Sequence, residues 1–331
     1  MSSLPAVTVV TATYNWPDAL RVAIKSVLEQ TFTDFEYLII GDACTDETAD
    51  VVAEFNDPRI RWVNLIENLG NQSDVNRIAL TMARGEVIAY LNHDDIWFPE
   101  HLAELYAALE TNEFDIVNSL ALSLTPPGQV YRAIIGSPWK TNDPGGYSVY
   151  PMTSNVMHTL DAARAVGSWA PWRTLDDVPT QEFFRRLRNY RARFGVVPLV
   201  TSLKFHSGDR RNSYLKKTAD EQEHWYKQML TDPGLRHREM AVAYCCKTLP
   251  ENPQSLKHPK RPENAPPGWQ VEQWRRLRGL DAMIDLGESE PEESDQDLPP
   301  PKDTMFRRST AGQRFVASKP GGDEKAPGAN E

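Results

Sequence analysis

The sequence predicts an α/β fold with a mostly parallel central sheet flanked by helices. Two observations carry this. From residue 7 to about residue 118, short β-branched or apolar runs alternate with helix-period patterns, the signature of successive βαβ units. Four of those runs also end in clusters of Asp, Asn, Thr and Gly, at the carboxyl ends of strands where an open α/β sheet binds its ligands.

Strands are expected over 7–10, 37–40, 61–65, 87–91 and 114–117. Between the first two, Pro17 suits a first helical turn, and Leu20, Ala23, Ile24, Val27 and Leu28 recur at helical spacing. A second helix is expected to begin near Thr45 or Asp46, either of which can cap it, and to continue through Val51, Val52 and Phe55. The third runs over 73–84 with Val75, Ile78, Ala79 and Met82 inward and Gly85 as its stop. A fourth opens at Pro99 and buries Leu102, Leu105, Tyr106 and Leu109. Residues 119–210 are less regular, with strands suggested over 130–135 and 196–203 and a helix over 180–190, and read as a variable continuation of the same sheet. Helical patterns resume over 214–249, and a short amphipathic piece over 271–284 carries Trp274, Leu277 and Met283. Beyond Leu286 the chain turns Pro-, Glu- and Gly-rich, too poor in apolar residues to offset ordering entropy, and is expected to be disordered.

Composition narrows the function. The net charge of -10 is concentrated: residues 287–303 hold Glu288, Glu290, Glu292, Glu293, Asp295, Asp297 and Asp303 against Lys302. The remainder is mildly acidic, which argues against a nucleic-acid partner. Three cysteines, Cys44, Cys245 and Cys246, form no disulfide framework or CxxC knuckle. No run approaches the roughly 18 apolar residues of a membrane span, and the first residues lack a signal-peptide pattern, so a cytoplasmic protein with no transmembrane segment is expected. Peripheral membrane association stays open. Neither GxGxxG nor GxxxxGK[ST] occurs, so dinucleotide oxidoreductase and P-loop readings lose their main support.

The polar clusters are Thr11-Ala12-Thr13-Tyr14-Asn15 after the first strand, Gly41 to Asp46 after the second, Glu67-Asn68-Leu69-Gly70-Asn71 after the third and Asn92-His93-Asp94-Asp95 after the fourth. Two adjacent carboxylates repel unless a cation or donors neutralise them, so Asp94 and Asp95 suggest a hard divalent metal that also touches a diphosphate. The plainer reading is a pair of turn residues capping the helix at Pro99. Asp42, at the end of the second strand, suits the hydroxyls of a ribose, or a turn beside Gly41. His93 is expected to point away from the Asp94-Asp95 pair if the backbone is extended.

At this point VVTATYN, YLIIGDACTDET and ENLGNQSDVNRIALTMARGEVIAYLNHDDIWFPEHL, in that order and spacing, resemble the nucleotide-sugar half of family 2 glycosyltransferases with the GT-A fold, a Rossmann-like architecture. The resemblance covers residues 5–110. It implies transfer of a sugar from a nucleotide-sugar donor, usually with inversion, to a saccharide or other hydroxyl acceptor, assisted by Mn²⁺ or Mg²⁺, in glycan or polysaccharide assembly. By the same match Thr11, Thr13, Tyr14, Asn15, Asp42, Asn68, Gly70, Asn76, Arg77, Asn92 and Asp94 bind the donor, and Asp94 and Asp95 the metal. One departure stands out: Asn92 occupies the position usually held by the first Asp of the metal motif.

The later segment MTSNVMHTLDAARAVGSWAPWRTLDDVPTQEFFRRL resembles, more loosely, the family's acceptor-side loop and the acidic motif before an Arg-bearing helix. An inverting displacement needs a base for the acceptor hydroxyl. Asp177 is the first candidate, with Asp176 and Glu182 behind it; helix capping and a solvated helix face are their plainer roles. His206 is a candidate third metal ligand or phosphate contact. Arg210 and Arg211 suit a diphosphate or a surface charge pair, and Trp169 and Trp172 an acceptor sugar or the core. The expected organisation is therefore a GT-A domain over 1–215 (donor half 1–118, acceptor half 119–215), a helical extension over 216–286 and an acidic tail over 287–331. A non-catalytic nucleotide-sugar or glycan-binding protein on the same fold is the first rival. A sugar-1-phosphate nucleotidyltransferase fits less well, because TATYN lacks a glycine-rich phosphate loop, and an interaction scaffold rests on tail composition alone.

Overall fold

The computed structural model describes residues 4–129, 131–137, 139–140, 147–148, 151–206, 209–246 and 261–280. The first apolar run forms β1 (Val7–Thr13), which pairs in parallel with β2 (Phe35–Gly41) on one side and β4 (Val87–Tyr90) on the other; β3 (Ile60–Asn64) lies beyond β2. Two further strands were not anticipated. β5 (Ile96–Trp97) has only two residues, and β10 (Val156–Thr159), with the sequence VMHT, is buried almost throughout and shows no polar alternation by which to recognise it. With β6 (Ile116–Leu124), β7 (Arg132–Ile135) and β11 (Phe194–Phe205), the sheet order is β3-β2-β1-β4-β10-β6-β11-β5, and β7 pairs with β6. A separate two-stranded ribbon joins β8 (Trp139–Lys140) to β9 (Tyr147–Ser148).

β10 runs antiparallel between β4 and β6. Its amino end therefore meets the carboxyl ends of β1, β2 and β4, and the residues just before it, 152–155, reach the edge where the polar clusters sit. β11 is parallel to β6 and delivers its last residues to that same edge.

The pleat divides the core. Val7 and Val9 face one side of the sheet with Leu20, Ile24 and Val27 of α1 (Pro17–Leu28) and Leu102, Leu105 and Leu109 of α4 (His101–Thr111). Val10 faces the other with Val75 and Ala79 of α3 (Gln72–Met82), Ala163 of α5 (Leu160–Ala165) and Phe183 of α6 (Pro179–Asn189). Beneath β11, Val200, Leu203 and Phe205 pack with Trp225 and Met229 of α8 (Asp220–Thr231) and Ala243 of α9 (Leu235–Cys246). The helical stretch expected over 214–249 is thus three helices, the first being α7 (Ser213–Lys216), and α10 (Trp269–Arg278) follows. Residues 247–249, 281–286 and the acidic tail lie outside the described residues. No helix among the described residues is long and apolar enough to cross a membrane.

Several boundaries differ for physical reasons. α2 (Thr48–Glu54) starts after the expected caps, but Asp46 still serves its first turn by accepting from the Thr48 amide at 3.1 Å. α3 starts at Gln72, one residue before the expected 73, and Asn71 caps it by accepting from the Ser73 amide. α4 starts beyond Pro99, whose carbonyl accepts from Thr31. Gly85 is not the stop of α3, which ends at Met82. A Cβ there would meet the Thr8 backbone nitrogen at 2.6 Å, so Gly85 allows the α3–β4 turn to press on β1. Beside it buried Glu36 accepts from Thr8 Oγ1, Arg61 and the Arg84 amide, tying β1, β2 and β3 together at the sheet edge opposite the polar clusters.

Among the described residues three histidines are buried: His93, His101 and His158. His101 hydrogen-bonds with Thr201 and stacks on Trp97; His158 hydrogen-bonds with Tyr90. Burial pushes their protonation down to about 4 for His93 and His158 and about 3 for His101. The unfolded chain titrates near 6.5 and takes up these protons first, so folding stability is lost as pH falls from about 6.5 toward 4 and regained as it rises. Each histidine contributes a slope of up to about 1.4 kcal/mol per pH unit in that window. Urea unfolding between about pH 7 and pH 5 should show this decline, and His101→Gln should flatten it; equal stability across the range would contradict it.

Candidate functional site

A cavity opens at the carboxyl edge of β1, β2 and β4, and four of the sequence clusters meet on its wall. Asp42 follows β2 and is almost buried; its carboxylate accepts from the amides of Leu69 at 2.7 Å and Gly70 at 2.9 Å, while Asn68 donates to its carbonyl. This fastens the β3–α3 loop to the end of β2. Gly70 takes φ +84°, so the backbone conformation demands glycine, and the Arg275 guanidinium lies against it. Burial pushes the Asp42 carboxyl up, opposed by the two amides. Each oxygen still has a lone pair for a ligand hydroxyl.

Thr13, Tyr14, Asp42, Asn68, Gly70, Asn92, Asp94 and His206 line the cavity, as expected from the sequence. The other expected contacts do not. Thr11 is fully buried, hydrogen-bonding with Tyr37 at 2.9 Å and donating to the Leu91 carbonyl. Asn15, at φ 45°, accepts from the Thr45 amide and joins the β1–α1 and β2–α2 loops. Asn76 is buried inside α3, and Arg77 is half-exposed and pairs with Asp74 at 3.5 Å. None of these four residues lines the cavity.

Asp94 and Asp95 separate sharply. Asp94 faces the cavity. Asp95, expected as a metal ligand, is buried behind it and accepts four hydrogen bonds: from Asn92 at 3.1 Å, Ser154 at 2.5 Å, Lys204 Nζ at 2.8 Å and the Phe205 amide at 3.0 Å. Its oxygens are committed to joining β4, β10 and β11. Burial alone would raise the Asp94 carboxyl, but the positive charges of Lys204, Arg278 and Arg210 outweigh it and hold the group below the ordinary carboxylate range. His93 also lines the cavity, joined to Thr13 at 2.8 Å through Nδ1 and to Tyr214 at 3.0 Å through Nε2.

The expected base candidates stand apart from the cavity. Asp177 accepts from its neighbour Val178 and from Arg185 at 2.9 Å, Asp176 pairs with Arg261 at 2.7 Å, and Glu182 holds Arg186 through two hydrogen bonds. What reaches the wall from this segment is Val178, Pro179 and Thr180, with Thr153 hydrogen-bonded to Thr180 at 3.0 Å. Asp177→Asn should accordingly change stability by less than about 1 kcal/mol and leave turnover of any substrate within about twofold, as for an exposed ion pair. A loss of turnover of tenfold or more in a steady-state assay would return Asp177 to the chemistry.

Trp169 is core, stacked on Phe183 at 4.5 Å and donating to Tyr90. Trp172 donates to the Leu69 carbonyl and so supports the Asp42 loop. Arg210 pairs with Glu221 and donates to the carbonyls of His206 and Leu124, and Arg211 is exposed and off the cavity wall. Sequence reasoning missed Lys204 of β11, Tyr214 of α7, and Trp274, Arg275 and Arg278 of α10, all on the cavity wall. The only sequence trace of α10's part is its spacing: residues 271, 274, 275 and 278 share one helix face.

Among the described residues no group of three or more His, Cys, Asp or Glu is arranged to hold a metal ion. Asp94 and His206 are cavity residues with donor atoms suited to a cation. This donor set fits Mg²⁺ or Mn²⁺ held by few protein ligands and completed by water and diphosphate oxygens.

Residues 8–122 match the family described as glycosyl transferase family 2. This segment belongs to that family. The family 2 segment and its surroundings are 33% identical over 133 residues to an uncharacterized glycosyltransferase of Methanocaldococcus jannaschii, covering 39% of this chain and 46% of that protein. They are 30% identical over 107 residues to the Escherichia coli UDP-Glc:alpha-D-GlcNAc-diphosphoundecaprenol beta-1,3-glucosyltransferase WfaP, covering 32% of this chain and 42% of WfaP. The chain thus spans less than half the length of these two relatives. In fold it is similar to residues 1–349 of S. aureus TarS in complex with UDP-GlcNAc, with a TM-score of 0.53 and 15% identity over 73% of this chain and 71% of that one. The family 2 segment and its sheet are therefore those of a GT-A fold.

Proposed function

We propose that the chain transfers a sugar from a nucleotide-sugar to a hydroxyl of a saccharide or other acceptor, with inversion, in polysaccharide biosynthesis. The observation that carries this is the meeting, on one cavity, of a nucleoside-suited end (Tyr14, Asp42, Asn68, Gly70) and a diphosphate-suited end (Asp94, Lys204, His206). The E. coli relative is named for a UDP-Glc donor and the TarS structure holds UDP-GlcNAc, so UDP-sugars are the first donors to try, then GDP- and dTDP-sugars. In the reaction the acceptor oxygen bonds to the anomeric carbon as the bond from that carbon to the β-phosphate oxygen breaks. The electron pair leaves with the nucleoside diphosphate, and the acceptor proton passes to base or solvent. Asp42 grips ribose hydroxyls, and Lys204, on the same cavity wall as Asp94, adds positive charge where the diphosphate departs. Mg²⁺ or Mn²⁺ on Asp94 and His206 would add charge at the same point.

The test is release of nucleoside diphosphate from a donor panel, with mixed saccharide acceptors, with and without Mn²⁺. Release from one donor would establish the activity and name the sugar. No binding of any nucleoside diphosphate would sink the assignment. A second reading, donor binding without turnover, is favoured by one observation: Asp176, Asp177 and Glu182 are all committed to arginines away from the cavity. Tight binding with no release from any donor would select it.

A further inference from the structure

α10 carries one cavity-facing stripe: Val271, Trp274, Arg275 and Arg278, at i, i+3, i+4 and i+7. Three anchors hold that stripe in place. Arg275 donates to the Gly70 carbonyl of the nucleoside loop, the Asn212 amide donates to the Leu277 carbonyl at 2.8 Å, and the Gly268 amide donates to the Leu175 carbonyl at 2.6 Å. A Cβ on Gly268 would crowd Trp172, and one on Gly279 would meet Leu215 at 2.7 Å, so both helix ends are seated closely. The two guanidinium groups divide the cavity between them. Arg275 sits on the Asp42 and Gly70 side, and the charge of Arg278 reaches Asp94, His93 and Tyr214.

A diphosphate entering this cavity meets two carboxylates, Asp42 and Asp94, which repel it. Lys204 is partly neutralised by its 2.8 Å contact with Asp95. α10 adds a second cationic face, Arg275 and Arg278, on the same cavity wall. Arginine suits the task because its planar fork matches two phosphate oxygens at once.

We propose that Arg275 and Arg278 of α10 bind the diphosphate together with Lys204, closing the donor site with a helix that lies more than 140 residues beyond its family 2 segment. This rests on the nucleotide-sugar reading above. Arg278 carries the larger share, because Arg275 sits at the nucleoside loop, on the Gly70 carbonyl.

The experiment compares full-length wild type with Arg278→Gln, Arg278→Lys and Arg275→Gln/Arg278→Gln, titrating UDP, GDP and dTDP alongside uridine, guanosine and thymidine, each with EDTA and with Mn²⁺. For the base that binds, Arg278→Gln should weaken the diphosphate by about tenfold to a hundredfold, as expected for a lost charge-assisted hydrogen bond, and leave the nucleoside within about twofold. Arg278→Lys should recover part of the loss, and the double variant should lose more. Unchanged diphosphate affinity in all three variants would overturn the proposal while leaving the nucleotide-sugar reading intact. So would equal weakening of nucleoside and diphosphate, since that marks a structural role. Failure of wild type to bind any of the three diphosphates would overturn both.

Discussion

Asp95→Ala should destabilise the fold by roughly 3–5 kcal/mol, the cost of leaving a buried charge without its partner. The carboxylate is 1% exposed and receives donors from the turn after β4, from the turn before β10 and from two positions on β11. Removing it strands the Lys204 ammonium, itself 5% exposed, together with Ser154 Oγ and the Phe205 amide. Denaturant midpoints would read the loss directly. Asp95→Leu/Lys204→Met, which removes both charges, should cost less than Asp95→Ala alone, and a double variant worse than the single would contradict the paired-charge account. Loss of the proposed donor turnover in Asp95→Ala would therefore report unfolding at least as much as lost chemistry.

Its neighbour should behave in the opposite way. Asp94→Asn keeps the size of the side chain and removes a cavity-facing carboxylate whose acidity is set by Lys204 and Arg278. Donor turnover should fall by about a hundredfold or more, the scale seen when one preorganised electrostatic contact to a reacting group is lost. The unfolding midpoint should stay close to wild type, and added Mn²⁺ should not restore the rate. Turnover within threefold of wild type would remove Asp94 from the site. Two adjacent carboxylates thus separate cleanly, one measured by stability and one by rate.

That separation was not legible in the sequence, where Asp94 and Asp95 look alike. Which of them points into the cavity depends on Ser154 and Lys204, 59 and 109 residues away from Asp95. Local patterns were sufficient for β1 to β4 and α1 to α4, because their apolar spacing matches the element period and their polar clusters lie in sequence order along one edge. They were also sufficient for Asp42 and the Asn68–Gly70 loop, whose contact follows from adjacent parallel strands. They failed for β10, whose four residues lie inside the sheet with neighbours on both sides, and for the base candidates, since acidic residues ahead of a helix rich in arginine pair with those arginines. Lys204 and α10 were missed because long-range topology alone brings them to the cavity.

β11 spends twelve residues, 194–205, pairing with the nine of β6, and its register slips between Val197 and Val200 and again between Val200 and Ser202. Three surplus residues are an odd number, so the slip exchanges the faces to which the two ends of the strand present their side chains. Deleting a single residue such as Leu199 would exchange them back, turning Leu203 toward Asp95 and Lys204 into the packed layer under α8. The reach of one amino group into the cavity is thus set by a miscount some five residues upstream, and strand length, as much as side-chain identity, is heritable information about this site.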